Sequence, residues 1–146
     1  MLGKLLDIID GSGGTWTIRK KQGLPLSNLA IIVSVEDFFD KMPPGGYYFA
    51  ANAGFGDEKF YILFNKIKEE RTVQDIWIEI HDYDPDEDEY PYAEVCYIST
   101  TACKDEVVKW FSYTSSPSNI SICENDVGEC LALIREGYKL FCCWWD

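Results

Sequence analysis

The segment between residues 73 and 83 alternates large apolar side chains with polar ones, and no other pattern in the chain constrains the fold as strongly. One side of the alternation carries Ile76, Ile78 and Ile80, and the other carries Trp77, Glu79 and His81. Because successive side chains of a β-strand point to opposite faces of a sheet, this period of two predicts a strand whose isoleucine face lies in the core. The run at residues 92–98 predicts a second strand, and an acidic loop joins the two.

The end of the chain predicts a strand of a different kind. Residues 138–145 are apolar at nearly every position, and they follow Gly137, which is placed to end a helix. A strand without polar alternation is buried on both faces, so we expect this one in the interior of the sheet.

Shorter runs predict further strands at residues 15–20, 47–52 and 59–65. The last two runs are rich in aromatic residues, and the connection between them contains Gly54 and Gly56. Because a short, glycine-containing connection between two such runs is typical of a β-hairpin, the sequence predicts a meander of antiparallel strands here.

Apolar residues at helical spacing predict three well-marked helices and a shorter one over residues 1–9. The first well-marked helix begins where Ser34 is followed three residues later by Asp37, a start signal of the capping-box kind. Its apolar face carries Val35, Phe38, Phe39 and Met42.

The other two helices lie in the C-terminal third. One spans residues 102–112, with Thr101 as its predicted N-cap. Its predicted buried stripe carries Cys103, Val107, Trp110 and Phe111. The other begins at the pair Asp126 and Glu129 and ends before Gly137.

Strands grouped together, with helices in two places, indicate one α+β domain over residues 1–146, in which about three helices pack on one face of a largely antiparallel sheet.

Composition disfavours several classes of function, and it says less about the fold. The 146 residues are few enough for one domain, and 13 Lys and Arg stand against 25 Asp and Glu, for a net charge of −12. This balance argues against direct binding to nucleic acid or to an anionic membrane surface, since both need clustered cations. A single histidine, His81, weighs against histidine metal sites, and we expect neither a metal nor a cofactor.

The beginning of the chain has no secretion-signal pattern, and no run is apolar enough to span a membrane, which together predict a cytoplasmic protein. Six cysteines lie in the last third of the chain, and none forms a C-x-x-C pair. In a reducing compartment we expect them to be buried free thiols.

Negative charge is concentrated in the middle of the chain. Between Thr72 and Cys103 there is no Lys or Arg, while nine of the 32 residues are acidic and six of those acids fall within residues 82–89. Repulsion at this density does not help folding. The cluster is either a solvated loop or a surface that meets a basic protein partner, and the tyrosines among the acids favour the second interpretation. The predicted partner-binding residues are Asp82, Tyr83, Asp84, Asp86, Glu87, Asp88, Glu89, Tyr90 and Tyr92.

Calcium binding by this loop is disfavoured. The aspartates that alternate from Asp82 onward resemble the first ligands of an EF-hand, but the sixth position is Glu87 instead of Gly and the twelfth is Ala93 instead of Glu.

Catalytic patterns are also missing from the sequence. A Cys–His pair would need His81 beside Cys96 or Cys103, and nothing in the sequence places either thiol there. Exposed loop carboxylates lack the raised pKa that a glycosidase acid requires. No nucleophile elbow, phosphate loop or dinucleotide fingerprint is present, so we predict that the protein is not an enzyme and has no catalytic residues.

In profile the chain resembles the small acidic immunity proteins of bacterial toxin–immunity systems, including those of contact-dependent inhibition. It shares with them a small α+β domain, a surplus of carboxylates, and tyrosines among the acids of residues 82–92. The resemblance implies one-to-one binding to a basic toxin, a nuclease whose active site the acids would block. A phage-type inhibitor or nucleic-acid mimic that uses the same face, a small enzyme without a recognisable motif, and a subunit of a larger assembly stay open as alternatives.

Overall fold

A computed structural model describes residues 3–11, 31–84, 90–123 and 133–146. These residues form four α-helices and five β-strands, in the order α1 (Gly3–Gly11), β1 (Ile31–Ser34), α2 (Val35–Phe39), α3 (Asp57–Lys68), β2 (Val73–Asp82), β3 (Tyr92–Thr100), α4 (Lys104–Phe111), β4 (Asn119–Ile122) and β5 (Lys139–Trp144). A single 3₁₀ turn, Ala51–Ala53, precedes α3. Within the described residues, no helix has the length and apolar character needed to cross a membrane.

The five strands form one antiparallel sheet in the order β1-β2-β3-β5-β4. The predicted pair of central strands is confirmed as β2 and β3, which place Ile78 opposite Cys96. The predicted interior position of the last strand is confirmed too, because β5 pairs with β3 on one side and with β4 on the other. Strand β4 was not predicted, since it is four residues long and buries only Ile120. The fold belongs to the α+β class, as expected.

The isoleucine face of β2 lies in the core, as the alternation predicts. Ile76 and Ile78 are fully buried and Ile80 nearly so. Side chains from all four described helices pack in the same cluster, and Phe49 lies among their aromatic rings, with ring centroids 4.8 Å from Phe60 and 5.4 Å from Trp145. The main core therefore lies between this face of the sheet and the helices.

The opposite face of the sheet carries a second, smaller apolar cluster. Trp77, on the side of β2 away from the isoleucines, is only 8% exposed there. It lies opposite Tyr97 of β3 and packs with Tyr97 and Leu140. Large side chains on three adjacent strands therefore cover one another on this face as well.

The predicted hairpin over residues 47–65 is wrong. Residues 57–68 form helix α3, and within the described residues the β-pairing of residues 47–52 is limited to one parallel bridge between Phe49 and Ala93. The buried side chains Phe60, Leu63, Phe64 and Ile67 follow the helical spacing i, i+3, i+4 and i+7. The aromatic content of this segment reflects a buried helix face, and its true period is that of a helix.

The helix starts were predicted with mixed success. The Ser34 start is confirmed, because its Oγ accepts a hydrogen bond from the amide of Asp37 at 3.0 Å. Helix α4 begins at Lys104, so its N-cap is Cys103 instead of Thr101, and no side chain caps it. The thiol of Cys103, predicted to be buried, is exposed, and of the other described cysteines Cys96 and Cys143 are buried.

Several predictions fall wholly or partly outside the described residues: the strand at 15–20, most of the helix that begins at Asp126, and the acids Asp86, Glu87, Asp88 and Glu89. Gly137 is described, and its φ of 84° is the left-handed conformation predicted for the end of that helix.

Candidate protein-interaction surface

The described part of the acidic loop, residues 82–89, lies at the turn end of the central β2–β3 hairpin. Asp82 ends β2 and is the register partner of Tyr92, which begins β3. Tyr83 and Asp84 follow directly, and all four residues are half-exposed. The longest strand pair of the sheet thus positions both ends of the loop.

The three predicted tyrosines have different environments. Tyr90 is only 5% exposed, its hydroxyl donates to the carbonyl oxygen of Phe38 at 2.6 Å, and burial together with the charges of Asp57 and Asp40 raises its pKa. It is therefore a core residue with little surface to offer a partner. The tyrosine contribution predicted for the interface falls to Tyr83 and Tyr92.

Tyr92 belongs to a small polar cluster at the base of the acidic loop. Its hydroxyl oxygen accepts a hydrogen bond from the amide of Ala51 at 3.1 Å, and the hydroxyl lies 3.5 Å from Oε2 of Glu94. Nδ1 of His81 lies 3.8 Å from Oε1 of Glu94, and the His81 and Tyr92 rings meet edge to face. Glu94 thus places a further carboxylate beside the loop.

Glu79 extends the acidic region onto the face of the sheet opposite the helices. Burial raises the pKa of this carboxyl above its ordinary value, while a hydrogen bond donated by the Tyr97 hydroxyl at 2.8 Å opposes the shift. Burial likewise raises the pKa of the Cys142 thiol to about 12, and the nearby Glu79 charge contributes. The Cys142 thiol therefore holds its proton near neutral pH, so this cluster has the character of a buried polar network and not of a nucleophile with its base.

At the opposite end of β2, an acid of the central segment lies beside a lysine. Nζ of Lys68 contacts both Oε1 of Glu36 and Oδ1 of Asp75, the latter at 3.7 Å. Partial burial by itself would lower the pKa of Lys68, but its hydrogen bond to Glu36 and the charge of Asp75 raise it overall. Asp75, one of the nine acids of the central segment, therefore shares the charge of Lys68 with Glu36.

The Cys–His pairing that the sequence disfavoured is not formed. Cys96 is fully buried in the main core opposite Ile78, whereas His81 is exposed at the base of the acidic loop. Cys103 lies at the start of α4, beyond the far end of β3. Among the residues that the structure describes, no three His, Cys, Asp or Glu side chains are grouped so that they could hold a metal ion.

Sequence reasoning missed a cleft beside helix α3. The cleft has a volume of about 310 Å³ and is lined by apolar side chains of residues 39–44, by Tyr61, and by the carboxylates of Asp40, Asp57 and Glu58. The residues of α3 that line the cleft fall within residues 47–65, for which the sequence predicted a β-hairpin. The helical spacing of Phe60 and Phe64 is the signal that would have placed Asp57, Glu58 and Tyr61 on one side of a helix.

The chain is similar to proteins of one known family. A family model described as the uncharacterized protein YfbO family matches residues 12–143. The uncharacterized protein YfbO of Escherichia coli strain K12 is 28% identical over 117 residues, which cover 79% of this chain and 82% of that protein. No solved structure matches the chain. The matched residues include the acidic loop and helices α2 to α4.

Proposed function

The chain belongs to the YfbO family, and we propose that it is an immunity-type binding protein that neutralises a basic cognate toxin through the acidic loop and its base. The observation that carries the proposal is the position of the acidic residues at the end of the longest strand pair. Asp82 ends β2, Asp84 follows it, and Glu94 of β3 contacts His81.

Electrostatics gives this arrangement a use in binding. A net charge of −12 attracts a cationic protein from a distance, and the acidic loop concentrates that attraction at one place on the surface. Complementary charge mainly raises the association rate, whereas buried aromatic contacts slow dissociation. Tyr83 and Tyr92 would supply such contacts beside Asp82 and Asp84.

The toxin class follows from the same charge argument. A nuclease binds phosphates with clustered Lys and Arg, so its active site is a cationic groove. An acidic, tyrosine-bearing hairpin would occupy that groove and exclude the nucleic acid. The protein would thus inhibit by occlusion and would need no catalytic residues, cofactor or metal of its own.

The test uses the protein encoded immediately upstream of this chain's own gene, where a toxin would be expected. Its association rate is measured by stopped-flow with wild type, with Asp82→Asn/Asp84→Asn, and with the control Asp105→Asn/Glu106→Gln. The control removes two charges from exposed positions at the start of α4, away from the hairpin end. We expect the loop variant to associate about tenfold more slowly at low ionic strength and the control to stay close to wild type.

Inhibition is then read directly. The upstream-encoded protein should degrade nucleic acid alone and should lose that activity with one equivalent of wild type. Equal association rates for the loop variant and the control would show that the loop is a solvated turn. A failure of wild type to bind or inhibit the upstream-encoded protein would contradict the proposed function.

A further inference from the structure

The cleft beside helix α3 can receive one side chain of a partner. Phe39, Met42 and Tyr61 contribute apolar walls, and the carboxylates of Asp40 and Glu58, both exposed, border it. Its volume of about 310 Å³ is at the small end of the range for binding pockets and is large enough for one long side chain. We propose that this cleft receives an arginine side chain from the toxin's surface, an inference that rests on the proposed function and assigns it a second contact.

The walls of the cleft are already in place without a partner. The rings of Phe39 and Tyr61 stack with centroids 5.2 Å apart and planes 9° from parallel, and Phe39 is anchored in the main core. The loop beside them is fixed by Asp57, whose carboxylate accepts the amides of Tyr48 at 2.9 Å and Phe49 at 2.8 Å. A side chain that enters this cleft therefore meets preformed surfaces, which reduces the entropy lost on binding.

Gly46 makes this close packing possible. A Cβ at this position would lie 2.7 Å from the Tyr48 ring and 3.0 Å from Oδ2 of Asp57. Only glycine lets the backbone approach the buried carboxylate so closely. The negative charge of Asp57 is thus built into the wall of the cleft by the fold.

The electrostatic character of the cleft is negative. Asp57 is 5% exposed, and its charge together with that of Asp40 adds to the rise in the pKa of the neighbouring Tyr90. The nearby cation Lys41 lies 3.6 Å from Asp40, but both side chains are exposed, and such a pair is easily exchanged. Asp57 and Glu58 also interact favourably with the start of α3, whereas Asp40 follows the end of α2, where a carboxylate gains nothing from the helix dipole.

Arginine fits this chemistry better than lysine. Its planar guanidinium stacks on an aromatic face such as that of Tyr61 and donates two parallel hydrogen bonds to a carboxylate such as that of Asp40. Its alkyl stem would lie against Phe39 and Met42. Lysine offers a compact, strongly hydrated charge that can lie over a ring but cannot stack flat on it or bind both carboxylate oxygens in a planar fork.

Tyr90 and Tyr48 connect the end of the acidic loop to the cleft, which is why one protein partner is expected to use both. Tyr90 follows the loop directly, and its ring centroid lies 5.5 Å from that of Tyr48. The amide of Tyr48 is in turn held by Asp57, which lines the cleft. A toxin docked on the acidic loop would therefore have its neighbouring surface over the cleft.

The first test uses a defined probe and does not depend on the toxin. N-acetyl-arginine amide is titrated into the full chain, and backbone NMR shifts are followed for wild type, Asp40→Asn/Glu58→Gln and the control Asp105→Asn/Glu106→Gln. We expect saturable shifts at Phe39 and Tyr61 in wild type and in the control, and their loss in the cleft variant. N-acetyl-lysine amide should bind about two- to fivefold more weakly.

Two results would overturn the inference. The first is an absence of saturable shifts at the cleft, and the second is equal or tighter binding of the lysine amide. Neither result bears on the association-rate test of the acidic loop. A failure of arginine binding in the cleft is therefore distinguishable from a failure of the proposed function.

The second test uses the complex. Asp40→Asn/Glu58→Gln should raise the dissociation rate from the upstream-encoded protein more than about tenfold and leave the association rate close to that of wild type, because a desolvated charge contact acts on dissociation. An unchanged dissociation rate, with the complex intact, would show that the toxin does not use the cleft.

Discussion

The two faces of the sheet are built on different physics. On the face that the helices cover, Ile78, Cys96, Cys143 and Ile120 form one row across β2, β3, β5 and β4, and every member is buried and apolar. On the opposite face the neighbouring row reads Trp77, Tyr97, Cys142 and Ser121. Adjacent residues of β5 show the contrast most directly, because Cys143 is buried in the main core and Cys142 is half-buried in the smaller cluster, near the Glu79 carboxylate.

This difference separates two sources of stability. The helix-covered face is held by packing, so its free energy depends on how completely side chains fill the space. The opposite face also depends on hydrogen bonds, since Glu79 is held by the Tyr97 hydroxyl and titrates away from its ordinary pKa. Residues 82–84, the described start of the acidic loop, lie at the end of the β2–β3 hairpin. The second face already includes polar partners, and none of the four described helices contributes to its apolar cluster.

The largest expected effect comes from truncating the packed face. Ile78→Ala removes a fully buried side chain and should lower the free energy of unfolding by about 2–5 kcal/mol. Val95→Ala, on the opposite face and half-buried, should cost only about 1 kcal/mol. Urea denaturation of both variants measures the comparison, and similar losses would show that the two faces are equally packed.

Local alternation was enough to predict the central part of this architecture. The period of two in β2, the apolar run of β5 and the Ser34 cap are each set by residues close in sequence, and each is confirmed. Helix α3 was mistaken for a strand because aromatic residues favour strands on average, and this helix buries them against Phe49 instead. The wider tertiary setting therefore outweighed the local preference of these residues.

The candidate surface was predictable only in part. The density of acids identified the acidic loop, but nothing in the sequence shows that Tyr90 is buried against Phe38 or that Lys68 contacts Asp75. Both depend on pairings between residues far apart in the chain. The cleft was missed for the same reason, because its walls come from two segments that meet only when α3 is a helix.

An intermediate effect is expected from breaking the polar network while keeping its shape. Tyr97→Phe removes the hydroxyl that donates to Glu79, so a partly buried carboxylate loses its partner and the free energy of unfolding should fall by about 1–3 kcal/mol near neutral pH. The loss should shrink in acid, where Glu79 is protonated. Tyr113→Phe serves as the control, because Tyr113 is fully exposed. A loss that does not change with pH would mean that the hydroxyl contributes through packing alone.

The smallest effect is expected at Glu79 itself, and its sign is informative. Burial raises the folded-state pKa of Glu79 above the ordinary 4.5, so between those two values the folded state binds more protons than the unfolded state. This contribution to stability is fully present below the ordinary pKa and is lost as the pH rises through the folded-state value.

Glu79→Gln should remove this pH dependence from the free energy of unfolding. Stability at neutral pH should equal or slightly exceed that of wild type, since the amide oxygen can still accept a hydrogen bond from Tyr97. Glu58→Gln, an exposed position, should leave the slope unchanged. Removing one partner of a buried polar pair is costly, whereas neutralising its charge is not. The change in the free energy of unfolding should therefore differ in sign or size between Tyr97→Phe and Glu79→Gln. A large loss of stability in Glu79→Gln would show instead that the Glu79 charge stabilises the fold.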